Sequence, residues 1–139
     1  MIPDWYASGE AFPHDRLNEK MGFEAIEVSA ERTVGRMPVE GNTQPMGIWH
    51  GGATCVLAES LASIAAFAHA REHGKVAMGV EINATHHRPG TSGWITGVAT
   101  AVRLGRQLAT YEVVLSDDAD NRVATARVTC VIAEAPKRG

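Results

Sequence analysis

One glutamate, Glu59, lies inside a run of small and apolar residues, with Val56, Leu57 and Ala58 before it and Leu61 and Ala62 after it. Burying a lone carboxylate is costly, or drives it toward its protonated form, unless something compensates. Two explanations stand. The group sits on a solvated strip of a helix or pairs with a cation across an interface, or it is a general base or nucleophile tuned by partial burial. Eight residues upstream is His50-Gly51-Gly52-Ala53. Two glycines let backbone approach a ligand closely, and the first N–H groups of a helix have no partner inside it. Such a terminus carries partial positive charge, so the Gly51 N–H is a candidate donor to a developing oxyanion. A plain turn-to-helix junction fits the same residues, and His50 alone reads equally well as a loop hydrogen-bonding group. Gln44, in the loop ahead of His50, and Ser63, one turn beyond Glu59 on the same face, could each hold a water or a carbonyl. A loop amide and a serine bonded back to its own helix are the plain alternatives.

Spacing constrains how these parts combine. Gly51 and Glu59 on one helix are separated by about 12 Å along its axis. An acyl carbon needs its attacking group and its oxyanion donor each about 3 Å away. One helix cannot supply both to one carbon, whereas two antiparallel helices can, the Gly51 end of one facing the Glu59 of the other. The spacing argues for two equivalent sites in a dimer.

Two cationic turns lie downstream. Arg88, held extended before Pro89 in His86-His87-Arg88-Pro89, could meet a phosphate. Gly105-Arg106-Gln107 is a second exposed turn with a cation. Solvated turn residues are the alternative for both. Adjacent strand residues point to opposite faces, so His86 and His87 do not share a metal. His69 and His73 have helical i, i+4 spacing but no third ligand, and no metal site is expected. There is no G-x-S-x-G elbow, no Walker loop and no dinucleotide glycine fingerprint.

The elements that must position these groups follow from periodicity and punctuation. A short helix is expected over His14–Met21. Alternation predicts strands over Phe23–Ser29 and Glu31–Val39, then a loop over Glu40–Ile48. One long helix covers Gly51–Glu72, apolar on nearly every face from Ala53 to Ala68, with Gly74 as its stop. Four strands follow, over Val76–His86, Trp94–Leu104, Ala109–Ser116 and Arg122–Ala133. The run Ser116–Asn121 (SDDADN) is a hairpin turn signal. One helix cannot build the layers of a parallel α/β protein. The expected architecture is α+β, an antiparallel sheet curled around one central helix, with one side of that helix left for a partner.

Composition sets the outer limits. The chain has 139 residues, enough for one domain with a core, a formal net charge of -3, 45% hydrophobic and 21% charged residues. No basic face for nucleic acid and no membrane span are expected. The start, MIPDWYASGE, does not read as a secretory signal. Cys55 and Cys130 are the two cysteines, and both read as buried, reduced thiols, which makes the cytoplasm the expected compartment.

Taken together, Gln44-Pro45-Met46-Gly47-Ile48-Trp49-His50-Gly51-Gly52-Ala53 and Leu57-Ala58-Glu59-Ser60 resemble the hotdog acyl-CoA thioesterases of the 4-hydroxybenzoyl-CoA (Arthrobacter-type) and phenylacetate-pathway group. Glu81-Ile82-Asn83-Ala84-Thr85-His86-His87-Arg88-Pro89 and Leu104-Gly105-Arg106-Gln107 look closer still to the enterobactin-pathway proofreading thioesterase and its menaquinone-pathway relative. The likeness runs from about Phe23 to Ile132. It implies a hotdog domain over 21–135, with an N-terminal extension over 1–20 and a frayed tail over 136–139. It also implies that Glu59 attacks or activates water, that the Gly51 N–H is the oxyanion donor, that Gln44 and His50 align the thioester, and that Ser63 stands beside the attacking group. Arg88, the Gly105-Arg106-Gln107 turn and, more weakly, His87 become the CoA surface. The implied reaction hydrolyses an aromatic or medium-chain acyl-CoA to acid and CoA, with no cofactor or metal, in a homodimer at minimum and a homotetramer by the family's habit. Met46 and Trp49 depart from the smaller or more aliphatic residues of the pattern, and residues 1–20 match none of it. A non-catalytic acyl-CoA-binding module is the alternative. A hydratase is a weaker one, since no aspartate stands near His50.

Overall fold

In the computed structural model, which describes residues 1–137, the elements run α1 (Asp4–Ala7), α2 (Arg16–Met21), β1 (Glu24–Glu27), β2 (Arg32–Pro38), α3 (Gly51–Arg71), β3 (Val76–His86), β4 (Trp94–Leu104), β5 (Leu108–Ser116) and β6 (Arg122–Ala133). The expected tail, 136–139, lies partly outside the described residues. Six strands form one antiparallel sheet in the order β1-β2-β4-β5-β6-β3, and α3 packs across it. This is the hotdog fold.

Local chemistry explains most of the boundaries. The imidazole of His50 caps α3 by accepting from the Gly52 N–H at 2.8 Å. At the other end Gly74 takes a left-handed φ of 67° that ends the chain's helical run. Leu57, Ala58, Leu61, Ala62, Ala65 and Ala66 are fully buried on α3, against Met37, Ile95, Tyr111, Val113 and Val128 of the sheet. The helix comes close because the sheet is dented beneath it. Gly35 and Gly97 are register partners on β2 and β4, and a Cβ on them would lie 2.9 and 2.5 Å from the two methyls of Leu61.

α3 is long and apolar enough to cross a membrane, yet here it lies against the sheet. Its outward side is not apolar throughout: Val56, Ser60, Ser63 and Phe67 are half-buried and Glu59 is exposed. The N-terminal residues cover part of that side. The Phe12 and Trp5 rings pack on Phe67 with centroids 5.1 and 5.6 Å apart, and the Ser60 hydroxyl donates to Asn18 Oδ1 at 2.9 Å. Cys130 is buried as expected, but Cys55 is only half-buried, because it faces toward the outward side of α3; both are free thiols.

Candidate active site

Glu59 stands midway along α3, and its carboxylate lies over β3 at Gly79. It opens on a recess of about 480 Å³ shared with Val56, Ser63 and Ile64 of α3 and with Phe12, Leu17 and other residues of the N-terminal segment. Asn18, buried in this wall, donates to Asp15 Oδ2 at 2.9 Å while accepting from Ser60, so the segment is pinned to α3 one residue from Glu59. Glu59 is exposed in the chain, which departs from the partial burial expected of it. Ser63 belongs to the same recess, and its hydroxyl lies toward the Cys130 thiol. Burial pushes that thiol's pKa up, the Ser63 hydrogen bond opposes the shift, and the charge of Glu59 adds to it.

Gly51 and Gln44 line a second recess of about 460 Å³, with His86, His87 and Arg88 of the strand end opposite. At the head of α3 the Gly52 N–H is taken by the His50 ring, and the Ala53 N–H by the His50 carbonyl at 2.9 Å. The Gly51 N–H has no protein partner among the described residues. Both glycines sit close against histidine rings. A Cβ on Gly52 would lie 2.9 Å from the His50 ring, and one on Gly51 would lie 3.2 Å from His86 Cε1. Because Nδ1 of His50 accepts, its other ring nitrogen is the one left to carry a proton. Gln44 is folded into its own loop: its side-chain oxygen accepts from the Met46 N–H, and its N–H donates to the Ile48 carbonyl at 2.8 Å. Trp49 is buried, with its indole N–H donating to Thr54 Oγ1 at 2.8 Å, so it packs beneath the recess.

Arg106 and Gln107 line a third recess, with Arg103, away from Arg88. Gly105 turns its carbonyl to His69 Nε2 at 2.8 Å. Hence the structure brings together Glu59 with Ser63, and Gly51 with Gln44, His87 and Arg88. It does not bring these two sets, or the two cationic turns, together within one chain. Two parts of the site had no clear sequence signal. His86 packs on the candidate oxyanion donor, and its strand pairing alone does not show which ring faces the helix. Residues 12–18 wall the Glu59 recess through contacts more than forty positions distant in sequence, such as Asn18–Ser60.

An antiparallel sheet wrapped on one long central helix defines the class, a hotdog domain. Residues 46–124, more than half of the chain, match the Thioesterase superfamily, and the chain belongs to that family of thioester hydrolases. It is 37% identical to the proofreading thioesterase EntH of Cronobacter turicensis over 117 residues, 84% of this chain and 85% of that one. A thioesterase of Haemophilus influenzae superposes with a TM-score of 0.84 at 28% identity, covering 92% of this chain and 90% of that one. A mutant thioesterase of Pseudomonas aeruginosa does so with a TM-score of 0.86 at 31% identity, covering 97% of each.

Proposed function

We propose that this thioesterase hydrolyses an acyl-CoA with an aromatic or medium-chain acyl group, at a site shared by two protomers. The observation that carries the reading is the division of labour along α3. Glu59 opens on a largely apolar recess suited to an acyl group, while Gly51 opens on a separate one with Arg88 and His87. The two positions are about 12 Å apart on one helix, so a second, antiparallel copy supplies the missing half of each site. The thioester carbonyl then lies between Glu59 of one protomer and the Gly51 N–H of the other, with Gln44 and His50 aligning it. CoA phosphates run toward Arg88, His87 and the Gly105-Arg106-Gln107 turn. Glu59 attacks the carbonyl carbon, or takes a proton from the water that does. The electron pair moves onto the carbonyl oxygen, held by the Gly51 N–H, and returns as the C–S bond breaks and CoA leaves as the thiolate; where Glu59 itself attacks, water then cleaves the acyl–Glu59 anhydride, releasing the acid and restoring the carboxylate. No metal or redox cofactor is called for. The likeness of Glu81–Pro89 and Leu104–Gln107 to the proofreading thioesterases supports substrates of that group.

The test is Glu59→Ala against benzoyl-CoA and a series of medium-chain acyl-CoAs, read by release of the CoA thiol. Turnover is expected to fall by about 10²–10⁴, the usual worth of a general base. Unchanged turnover in a folded variant would discard Glu59 as the reacting group. CoA binding by calorimetry with no thiol release from the unaltered protein would favour a binding module.

A further inference from the structure

We infer that Gly79 is a positioning residue for the reaction: the side chain it lacks leaves the space in which the Glu59 carboxylate is held. The inference rests on the role proposed for Glu59. Gly79 lies inside β3, opposite Cys130 of β6. A glycine within a strand weakens it, through chain entropy and lost packing, so its presence usually marks a bulge or a close approach. A bulge is present: the β3–β6 register shifts between Gly79 and Glu81, leaving Val80 as the extra residue. Gly79 itself does not need to be glycine for this, since it is not among the residues with positive φ. What the missing side chain leaves free is the place the Glu59 carboxylate occupies. A Cβ built on Gly79 would lie 2.7 Å from Glu59 Oε1, 3.6 Å from Cδ and 3.8 Å from Cγ, and these are its three nearest atoms. The other crowded strand glycines, Gly35 and Gly97, make room for the leucine and phenylalanine side chains of the core. Gly79 makes room for a carboxylate.

The consequences for stability and for rate separate. An added methyl group displaces the far end of a flexible, exposed side chain, which costs the fold little. The carboxylate oxygen, however, must retreat by something on the order of 1 Å to reach ordinary van der Waals contact. A misplacement of that size at a reacting group costs about 10²-fold in rate.

The experiment is a cycle of Gly79→Ala and Glu59→Asp, each alone and combined, with product followed chromatographically over hours so that slow variants stay measurable. Gly79→Ala is expected to lower kcat about 10- to 100-fold, to leave KM within about twofold, and to leave Tm unchanged or raised. In Glu59→Asp the carboxylate oxygens fall near the present place of Cδ, 3.6 Å from a Cβ on residue 79, which is ordinary contact rather than a clash. In the Glu59→Asp background, therefore, the same glycine substitution should cost less than about threefold. A general disturbance of the sheet or of subunit contacts would act equally in both backgrounds. Equal losses in both, or full kcat in Gly79→Ala beside an inactive Glu59→Ala, would overturn the inference while sparing the role of Glu59. Full activity of Glu59→Ala would remove that role, and this inference with it.

Discussion

Tyr111 shows how much a single buried polar group decides in a core of this size. It is fully buried, and its hydroxyl donates to the Ala30 carbonyl at 2.7 Å, tying β5 to the turn between β1 and β2. Tyr111→Phe keeps the ring but leaves that carbonyl without its donor, a loss of about 1–2 kcal/mol of stability, measurable by urea denaturation. Burial holds the hydroxyl's pKa above its ordinary value of 10, with the neighbouring Cys130 and Glu31 adding to the shift. The fold thus favours the neutral form. The advantage of Tyr over Phe should be complete below pH 10 and should shrink as the pH rises beyond it, because the unfolded chain ionises first. A gap between the two proteins that does not change with pH would show that the phenol ionises as easily folded as unfolded. Glu59 is the opposite case, a polar group that makes sense through what it faces rather than through what it bonds.

The turn between β5 and β6 carries its own instructions. Asp117 Oδ1 accepts from the N–H groups of Ala119 and Asn121 at 3.0 and 2.9 Å, and Asp120 takes the left-handed φ of 63° that closes the loop. The Asn121 N–H is the main reason the Asp117 pKa lies below its ordinary value; desolvation, the next largest influence, opposes it, and the Asn121 side chain, the Ala119 N–H and Arg88 add to the lowering. A lowered pKa means that the folded state prefers the carboxylate. Its contribution is present above the ordinary pKa of 3.8 and is lost as pH falls through the depressed value. Asp117→Ala should lower Tm by a few degrees at neutral pH, and by less in strong acid, in a calorimetric series. An equal effect at both pH values would remove the charge from the explanation. This turn was readable from sequence because its chemistry is local, as was α3, with its apolar residues and Gly74 stop; the His50 cap emerged only in the structure. α1 was not readable: four residues with no side-chain cap bond carry no periodic signal. Nor were the bulges at Val80 and Val102, since they arise where strands bend around a helix rather than from their own composition. The candidate site divides the same way. Glu59, Gly51 and Gln44 stood out by type and spacing, whereas the wall built by residues 12–18 depends on where a distant segment comes to rest.

At the scale of the molecule, β3 is the longer of the two strands that edge the sheet, β1 being the other. β3 has 11 residues, ends the sheet, pairs with β6 alone among the described residues, and exposes Met78 and Val80 at 53% and 59%. A long apolar edge of this kind is a liability unless something covers it. Glu59 sits over the same stretch of β3, at Gly79, so a second copy added along that edge would cover the strand and approach the carboxylate together. The proposed shared site makes this a question of stoichiometry. Glu59→Ala and Gln44→Ala protomers, each inactive alone, should regain activity when they are mixed in equal amounts, unfolded and refolded. Half of the random dimers are then hybrids. In each hybrid one site receives both substitutions and the other receives neither, so about a quarter of the unaltered activity should return. If Glu59 and Gln44 instead served one site within one chain, every site in the mixture would carry a defect and nothing would return. Recovery therefore counts which protomer each group comes from, without requiring knowledge of the acyl group that occupies the site.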